Sequence, residues 1–394
     1  MIYIPDTDRD RHVYIDGQTG TGKSTLQENM IAQDLAAGEC VVFIDPHGVS
    51  SETVVRHIPA GRDDDLIYLK PAYLPSPISI NVLADIEPDD RAGRAGDIVA
   101  AFVDTFGEQA VGDRSQQVLR NSLLALMECP ETTLLSVIPM LTDPEYRERV
   151  VLKVTDPLCR SYWERQFSEY SDQKRDDVIS PILNKLDALF SYPAIRHTLG
   201  QSRSSVDLDQ VFERRQILII DLKDLADGVD AVFGGIMVGL IWSTMRRRGG
   251  KSRVRMYVDE FPRVATRAFE AILSEARKMK LELTIAHQYW GQVSDEIKSA
   301  VFGNVGTLIS LRIGPDDAPT IARYFDLAEV LLRDLPNHTA YIRYTPPSQP
   351  VRFQTLPPIE PPRPSATSLI ENSINHFGTD RADAEKAVRA LFAG

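Results

Sequence analysis

Apolar residues along this chain follow two rhythms. Short unbroken runs occur at His12-Val13-Tyr14-Ile15-Asp16, Cys40-Val41-Val42-Phe43-Ile44, Gln216-Ile217-Leu218-Ile219-Ile220-Asp221-Leu222 and Val254-Arg255-Met256-Tyr257-Val258. Such runs read as strands buried on both faces, the habit of a parallel sheet. Further extended runs are expected at 66–69, 78–83, 281–285 and 307–312, with a closing pair at 339–344 and 351–356. Elsewhere the spacing is three and four. Leu26, Met30, Ile31 and Leu35 share one side of a helix, and 231–247 reads as a long buried helix. From 88 to 210 helical spacing takes over, as at Ile98, Ala101, Phe102 and Phe106, then Val118, Leu119, Leu123, Leu124 and Leu126. The pattern predicts an α/β domain of residues 1–87 and 211–356, an all-helical insertion at 88–210, and a stiff proline-rich linker with a helical tail at 357–394. No internal repeat is present.

The first strand runs into Gly17-Gln18-Thr19-Gly20-Thr21-Gly22-Lys23-Ser24-Thr25, which fits G-x-x-x-x-G-K-[ST] without a mismatch. Strand, glycine-rich turn and helix together make a phosphate cradle. The glycines let backbone N–H groups curl round an anion at a helix N-terminus, where the dipole favours negative charge. Lys23 then reaches the β- and γ-phosphates, and the Ser24 hydroxyl ligates Mg²⁺. The chain is expected to bind a nucleoside triphosphate.

Hydrolysis needs a second acid for the metal and a group that orients water. Asp259-Glu260, at the end of the 254–258 strand, supplies both: Asp259 for Mg²⁺ and Glu260 for the attacking water. Gln288, at the tip of the next strand, is the candidate γ-phosphate sensor. Arg277, at the far end of the helix expected after Asp259-Glu260, is either a cation on a helix C-terminus or an arginine finger for a neighbouring subunit. Asp45-Pro46-His47-Gly48 places an acid and a histidine at a sheet edge where ligands bind. A GTPase reading uses that stretch as D-x-x-G and Asn184-Lys185-Leu186-Asp187 as N-K-x-D. We reject it, because 177–190 carries helical spacing where the guanine-reading motif should end a buried strand.

The chain has 394 residues, 43% hydrophobic and 25% charged, with a net charge of -12. That balance argues against a protein coating nucleic acid with its whole surface, but not against a local basic channel. Cys40, Cys129 and Cys159 form no paired motif, so reduced thiols and a cytosolic setting are expected. The longest apolar run, 231–242, is too short to span a bilayer. The phosphate loop begins almost at once, so no signal peptide is expected.

The phosphate loop, Ile44-Asp45-Pro46-His47-Gly48, Tyr257-Val258-Asp259-Glu260-Phe261 and Ala286-His287-Gln288-Tyr289, followed by Gly303-Asn304-Val305-Gly306-Thr307, resemble the HerA/FtsK group of ring ATPases. The TraD/TraG-type coupling proteins of conjugation are the nearest branch. The resemblance covers roughly 11–356. It implies a RecA-like P-loop NTPase fold: a mostly parallel central sheet with helices on both faces and an all-helical insertion. It also implies a homo-hexamer with ATP and Mg²⁺ at subunit interfaces and DNA in a central pore. By position, Lys23 and Ser24 bind phosphate and Mg²⁺, Asp259 and Glu260 hydrolyse, Gln288 senses, and Arg277 is the finger in trans. The function implied is ATP-driven DNA translocation. The alternative is a coupling or scaffold protein that recruits a relaxase, nuclease or secretion partner through the insertion or tail. The departures are the expected lack of N-terminal membrane helices and of an N-terminal β-barrel, and Val49 where an acid often follows Gly48.

Six subunits would focus a few basic residues into one channel. Arg263 and Arg267 are the candidates for DNA contact, with the basic stretch 246–253 as a further one.

Overall fold

The computed structural model describes residues 3–344 and 348–392, apart from the side chains of Arg267, Ala268 and Gln292. In chain order, β1 (Val13–Asp16) leads through the glycine-rich turn into α1 (Lys23–Ala36), followed by β2 (Val41–Asp45) and β3 (Leu66–Leu69). A helical stretch then includes α2 (Pro88–Phe106), α3 (Asp113–Met127) and α4 (Asp172–Phe190). The sheet resumes at β4 (Ile217–Asp221), then α5 (Val229–Arg248), β5 (Val254–Val258), α6 (Arg267–Glu275) and β6 (Leu281–His287). The close is β7 (Thr307–Ser310), β8 (Thr339–Tyr344), β9 (Val351–Gln354) and α7 (Thr367–Phe377).

The nine strands form one sheet in the order β3-β4-β2-β5-β6-β1-β7-β8-β9. From β3 to β7 every pairing is parallel; β8 and β9 add antiparallel. Every residue of β1 to β7 is buried. That is why these strands read as mostly apolar runs, with Arg255 of β5 and Glu282 of β6 buried as an ion pair at 3.5 Å, and why the exposed β9 does not.

Two compact units make up the chain. One takes Met1–Leu69, Leu208–Lys223 and Thr244–Ser373; the other takes Lys70–Asp207, Asp224–Ser243 and Ile374–Gly394. All nine strands belong to the first. The second is helical among the described residues, with a single isolated bridge between Ile78 and Gly378.

Several expectations change here. Residues 78–83 form no ladder. Their backbone is tied instead to Thr198, Ser204 and Ser205, through bonds such as Ile80 N–H to Thr198 O at 2.9 Å. The Asn184-Lys185-Leu186-Asp187 stretch lies inside α4, so it cannot sit at a strand tip. The helix after Glu260 starts only at Arg267 and ends at Glu275, because a 3₁₀ turn at Phe261–Arg263 comes first. The proline-rich run at 357–364 is no free linker. Asn29 Nδ2 donates to Pro357 O at 2.9 Å, Ile359 N–H donates back to Asn29 Oδ1 at 2.9 Å, and Arg363 Nε donates to Ile58 O at 2.8 Å. Leu369 of α7 then enters the sheet core. Finally, α5 is long and apolar enough to cross a membrane by length and composition, yet most of it is buried within the protein.

The α1 helix is bound to β5 at its C-terminal end. Asp34 takes two bonds from Arg9, at 2.8 and 2.7 Å, pairs with Arg255 at 3.2 Å, and accepts from the Tyr257 hydroxyl. Pairing offsets part of the cost of burying these charges, while among the described residues Arg9 Nε and Arg255 Nε and Nη1 are left without a hydrogen bond. Packing sets the rest. Replacing the fully buried Phe43 by alanine is expected to lower stability by about 3–5 kcal/mol in denaturant unfolding, whereas Val351→Ala on the exposed β9 should stay within about 0.5 kcal/mol.

Candidate nucleotide-binding site

Three strand tips converge at the C-terminal edge of the sheet. In the order β5-β6-β1, β6 stands between the strand carrying the acid pair and the strand carrying the glycine-rich turn. The register sets Asp16 beside His287 and Val258 beside Ile285. Asp259 and Glu260 therefore leave β5 at the height where the turn leaves β1.

The turn is built by its own residues and braced by the neighbouring strands. Gly20 and Gly22 hold φ of +77° and +107°, conformations that side chains resist. A Cβ on Gly22 would also lie 2.7 Å from His338 Nδ1. Gln18 N–H donates to Arg312 O at 2.8 Å, His338 N–H donates to Thr21 O at 2.8 Å, and the Thr21 hydroxyl donates to Gln18 O at 2.7 Å. Gly17, Gln18, Thr19, Gly20, Thr21 and Gly22 thus end at the first turn of α1, with Lys23, Ser24 and Thr25 inside it.

Lys23 is buried, its Nζ 2.5 Å from Glu260 Oε1 and 3.9 Å from Asp259 Oδ1. Glu260 reaches it from a left-handed backbone, φ 44° and ψ 48°. That conformation costs a non-glycine residue about 1–3 kcal/mol and is found where surroundings enforce it. Glu260 N–H donates to Asp259 Oδ1 at 3.0 Å, and Asp259 N–H donates to Ile44 O at 3.1 Å. Burial raises the Asp259 carboxyl to about 6; Lys23 opposes the rise, while Glu260 and Asp45 add to it. Gln288, half-buried past the end of β6, accepts from the Thr19 hydroxyl of the turn. Beneath it, His287 is buried against Tyr14, Phe261 and Trp290, and burial beside Lys23 pushes its imidazole down to about 3, so it is neutral.

Other predicted residues lie elsewhere or are already engaged. Arg277 is exposed on the 3₁₀ turn Ala276–Met279, and among the described residues no hydrogen bond or ion pair joins it to the Lys23 cluster. Arg263 is half-buried; the side chain of Arg267 lies outside the described residues. The basic stretch 246–253 is largely neutralised: Arg247 and Arg248 pair with Asp209, and Arg253 pairs with Asp6, Glu39 and Glu282. Asp45 is occupied in shaping its own loop. Its carboxylate accepts from the N–H groups of His47, Gly48, Ser50 and Ser51, and from the Ser51 hydroxyl.

Three residues escape a reading by motif. Asp16, buried directly before the turn, has an Oδ1 without a hydrogen-bond partner among the described residues; burial lifts its carboxyl to about 7, a bond from Ser310 opposes this, and Asp317 adds to it. Glu28 follows Ser24 by one helical turn, the only sign of it in the sequence. His338 gives none, lying over 300 positions from the turn it braces.

Among the described residues no group of three or more His, Cys, Asp or Glu is set to hold a metal unaided. The donors beside the turn, the Ser24 hydroxyl and the Asp259 carboxylate, are hard oxygens of the kind Mg²⁺ takes when phosphates complete its shell. The raised carboxyl of Asp259 also marks a buried charge that one lysine only partly compensates. The residues fit the ion.

No protein-family model matches the chain, and no curated protein matches its sequence. Solved structures share its fold. The plasmid coupling protein TrwB with a non-hydrolysable ATP analogue superposes with a TM-score of 0.68 at 15% identity, over 92% of this chain and 89% of that one. TrwB with ADP and Mg²⁺ gives 0.66 at 16% identity over the same shares. VirB4 of Thermoanaerobacter pseudethanolicus gives 0.60 at 14% identity, over 88% of this chain and 89% of that one. The fold is that of the RecA-like P-loop ATPases.

Asp16 yields a prediction with a definite sign. Its carboxyl stays protonated in the folded chain up to about pH 7 but ionises near 3.8 when unfolded. The native state then holds more protons between those values, so this group's contribution to stability falls as pH rises from about 4 to 7. Asp16→Asn should therefore gain about 2–4 kcal/mol relative to wild type at pH 8, and the gain should vanish by pH 4 in denaturant titrations.

Proposed function

We propose that this chain is a Mg²⁺-dependent ATPase working as a DNA translocase in a hexameric ring. The observation that carries the reading is the burial of Lys23 between two acids of another strand, at the mouth of a glycine-rich turn. A lysine in that position, released by incoming phosphate, is what a nucleotide site needs. Gly17 to Thr25 hold the phosphates, and Ser24 and Asp259 hold Mg²⁺, which supplies charge neutralisation on the phosphoryl oxygens. Lys23 exchanges Glu260 for the β- and γ-phosphates. Glu260, freed of its ion pair, orients the attacking water. Gln288, bonded to Thr19, reports the occupancy of the turn to β6.

The exposure of Arg277 suits a finger that acts on a neighbouring copy rather than on its own nucleotide. Arg263 and Arg267, which follow the acid pair along the chain, are the residues proposed to face DNA. The ring would sit on the cytoplasmic side. TrwB is described as a bacterial conjugative coupling protein, which supports placing this chain beside secretion machinery. A second reading, a scaffold in which ATP orders an assembly with a relaxase or nuclease, draws on one observation. The helical unit carries a cleft of about 790 Å³ between α2, α3 and residues 155–169, rimmed by the exposed Leu158.

ATP hydrolysis measured alone, with single-stranded DNA and with duplex separates the two: stimulation by DNA supports the translocase, and turnover indifferent to DNA supports the scaffold. Lys23→Ala should lose nucleotide binding. Glu260→Gln should bind ATP and cut turnover by a factor of about 10² or more. Arg277→Ala should bind ATP, fall in turnover by about 10³, and regain activity in mixed rings with Lys23→Ala subunits. Full turnover by an Arg277→Ala monomer would end the finger assignment.

A further inference from the structure

The acid that the phosphate-loop pattern does not name is Glu28. Ser24 and Glu28 stand four residues apart on α1 and so share one face of the helix. The Ser50 hydroxyl donates to Glu28 Oε1 at 2.5 Å, while Ser50 N–H donates to Asp45 Oδ2 at 2.9 Å, so one serine separates Glu28 from the Asp45 loop. Asp259 closes the group from β5. Burial raises the Glu28 carboxyl, against the lowering effect of the Ser50 bond, and the charges of Asp259 and Asp45 add to the rise. Each acid is engaged differently. Asp45 has its oxygens filled by backbone and hydroxyl donors, and Glu260 is committed to Lys23. Glu28 uses Oε1 on Ser50, and no donor reaches Oε2 among the described residues.

We propose that Glu28 is a metal-positioning residue whose Oε2 accepts a hydrogen bond from a water ligand of the divalent ion held by Ser24 and Asp259. It does not touch the reacting atoms. Mg²⁺ keeps several waters in such sites, and carboxylates that receive hydrogen bonds from an ion's ligands fix its position and affinity. Ser50 holds the carboxylate in place, and the i, i+4 spacing ties its direction to that of the Ser24 hydroxyl. This inference rests on the nucleotide–Mg²⁺ reading above.

The test uses the full chain and a non-hydrolysable ATP analogue, with binding followed as Mg²⁺ is titrated from EDTA upward. Glu28→Gln removes the charge but keeps an oxygen for Ser50, so a purely structural strut would survive it. The expected result is a Mg²⁺ midpoint raised about tenfold, with unchanged analogue binding in EDTA and an unchanged apo melting temperature. A midpoint within twofold of wild type overturns the proposal, as does a shift that appears only alongside a lowered melting temperature. Should Gln fail to fold, Glu28→Asp withdraws the charge by one methylene, and the same rise is expected. Wild type that binds the analogue with no dependence on Mg²⁺ defeats the reading of the site itself, and this inference with it.

Discussion

The ion pair between Lys23 and Glu260 is the constraint from which the arrangement of this site follows. It joins the start of α1 to the end of β5 across an intervening strand, and both partners are buried. A buried pair of this kind contributes less to stability than its Coulomb energy suggests, because two charges have lost their water. Its significance is positional. Glu260 gives up a relaxed backbone to reach the lysine, and strained residues of this sort cluster where a site must be held ready.

The other end of α1 shows how the geometry is kept. Asp34 binds Tyr257 and Arg255 of β5, so helix and strand are tethered at two points along their length. Between the tethers lies packing of the kind a parallel sheet provides, with Ile31 and Leu35 against Phe43 and Tyr257 in one core. A displacement of the glycine-rich turn relative to the acid pair would have to break a buried ion pair or open that core. The strap at 357–363 adds to this, since it takes both ends of the Asn29 amide from the outer side of the same helix. The turn is braced from β8 as well, through His338.

Negative charge is concentrated around one cation. Asp16, Asp45, Asp259 and Glu260 approach the first two turns of α1, which themselves carry Glu28, and burial lifts the carboxyls of Asp16, Glu28 and Asp259. Left to itself this is an unfavourable collection, because carboxylates removed from water repel one another. A divalent ion brought in by phosphates would relieve it. On the function proposed above, the local loss of stability would favour the ligand when it arrives, a trade common at functional sites.

From sequence alone came the glycine-rich turn, the strands that surround it, the acid pair and the helical character of 88–210. Each is written in local spacing: a glycine needed where φ is positive, a run of apolar residues where a strand is buried on both faces, a three-and-four rhythm where a helix packs on one side. Tertiary structure alone decided the rest. That Glu260 rather than Asp259 takes the closer hold on Lys23, that the Asp45 carboxylate is consumed by its own loop, that 78–83 joins no sheet, and that the arginines of 247–253 pair with acids all depend on partners distant in sequence. Spacing along the chain cannot report which of several carboxylates a folded backbone turns toward a charge, because that choice is made by contacts between segments and not within them.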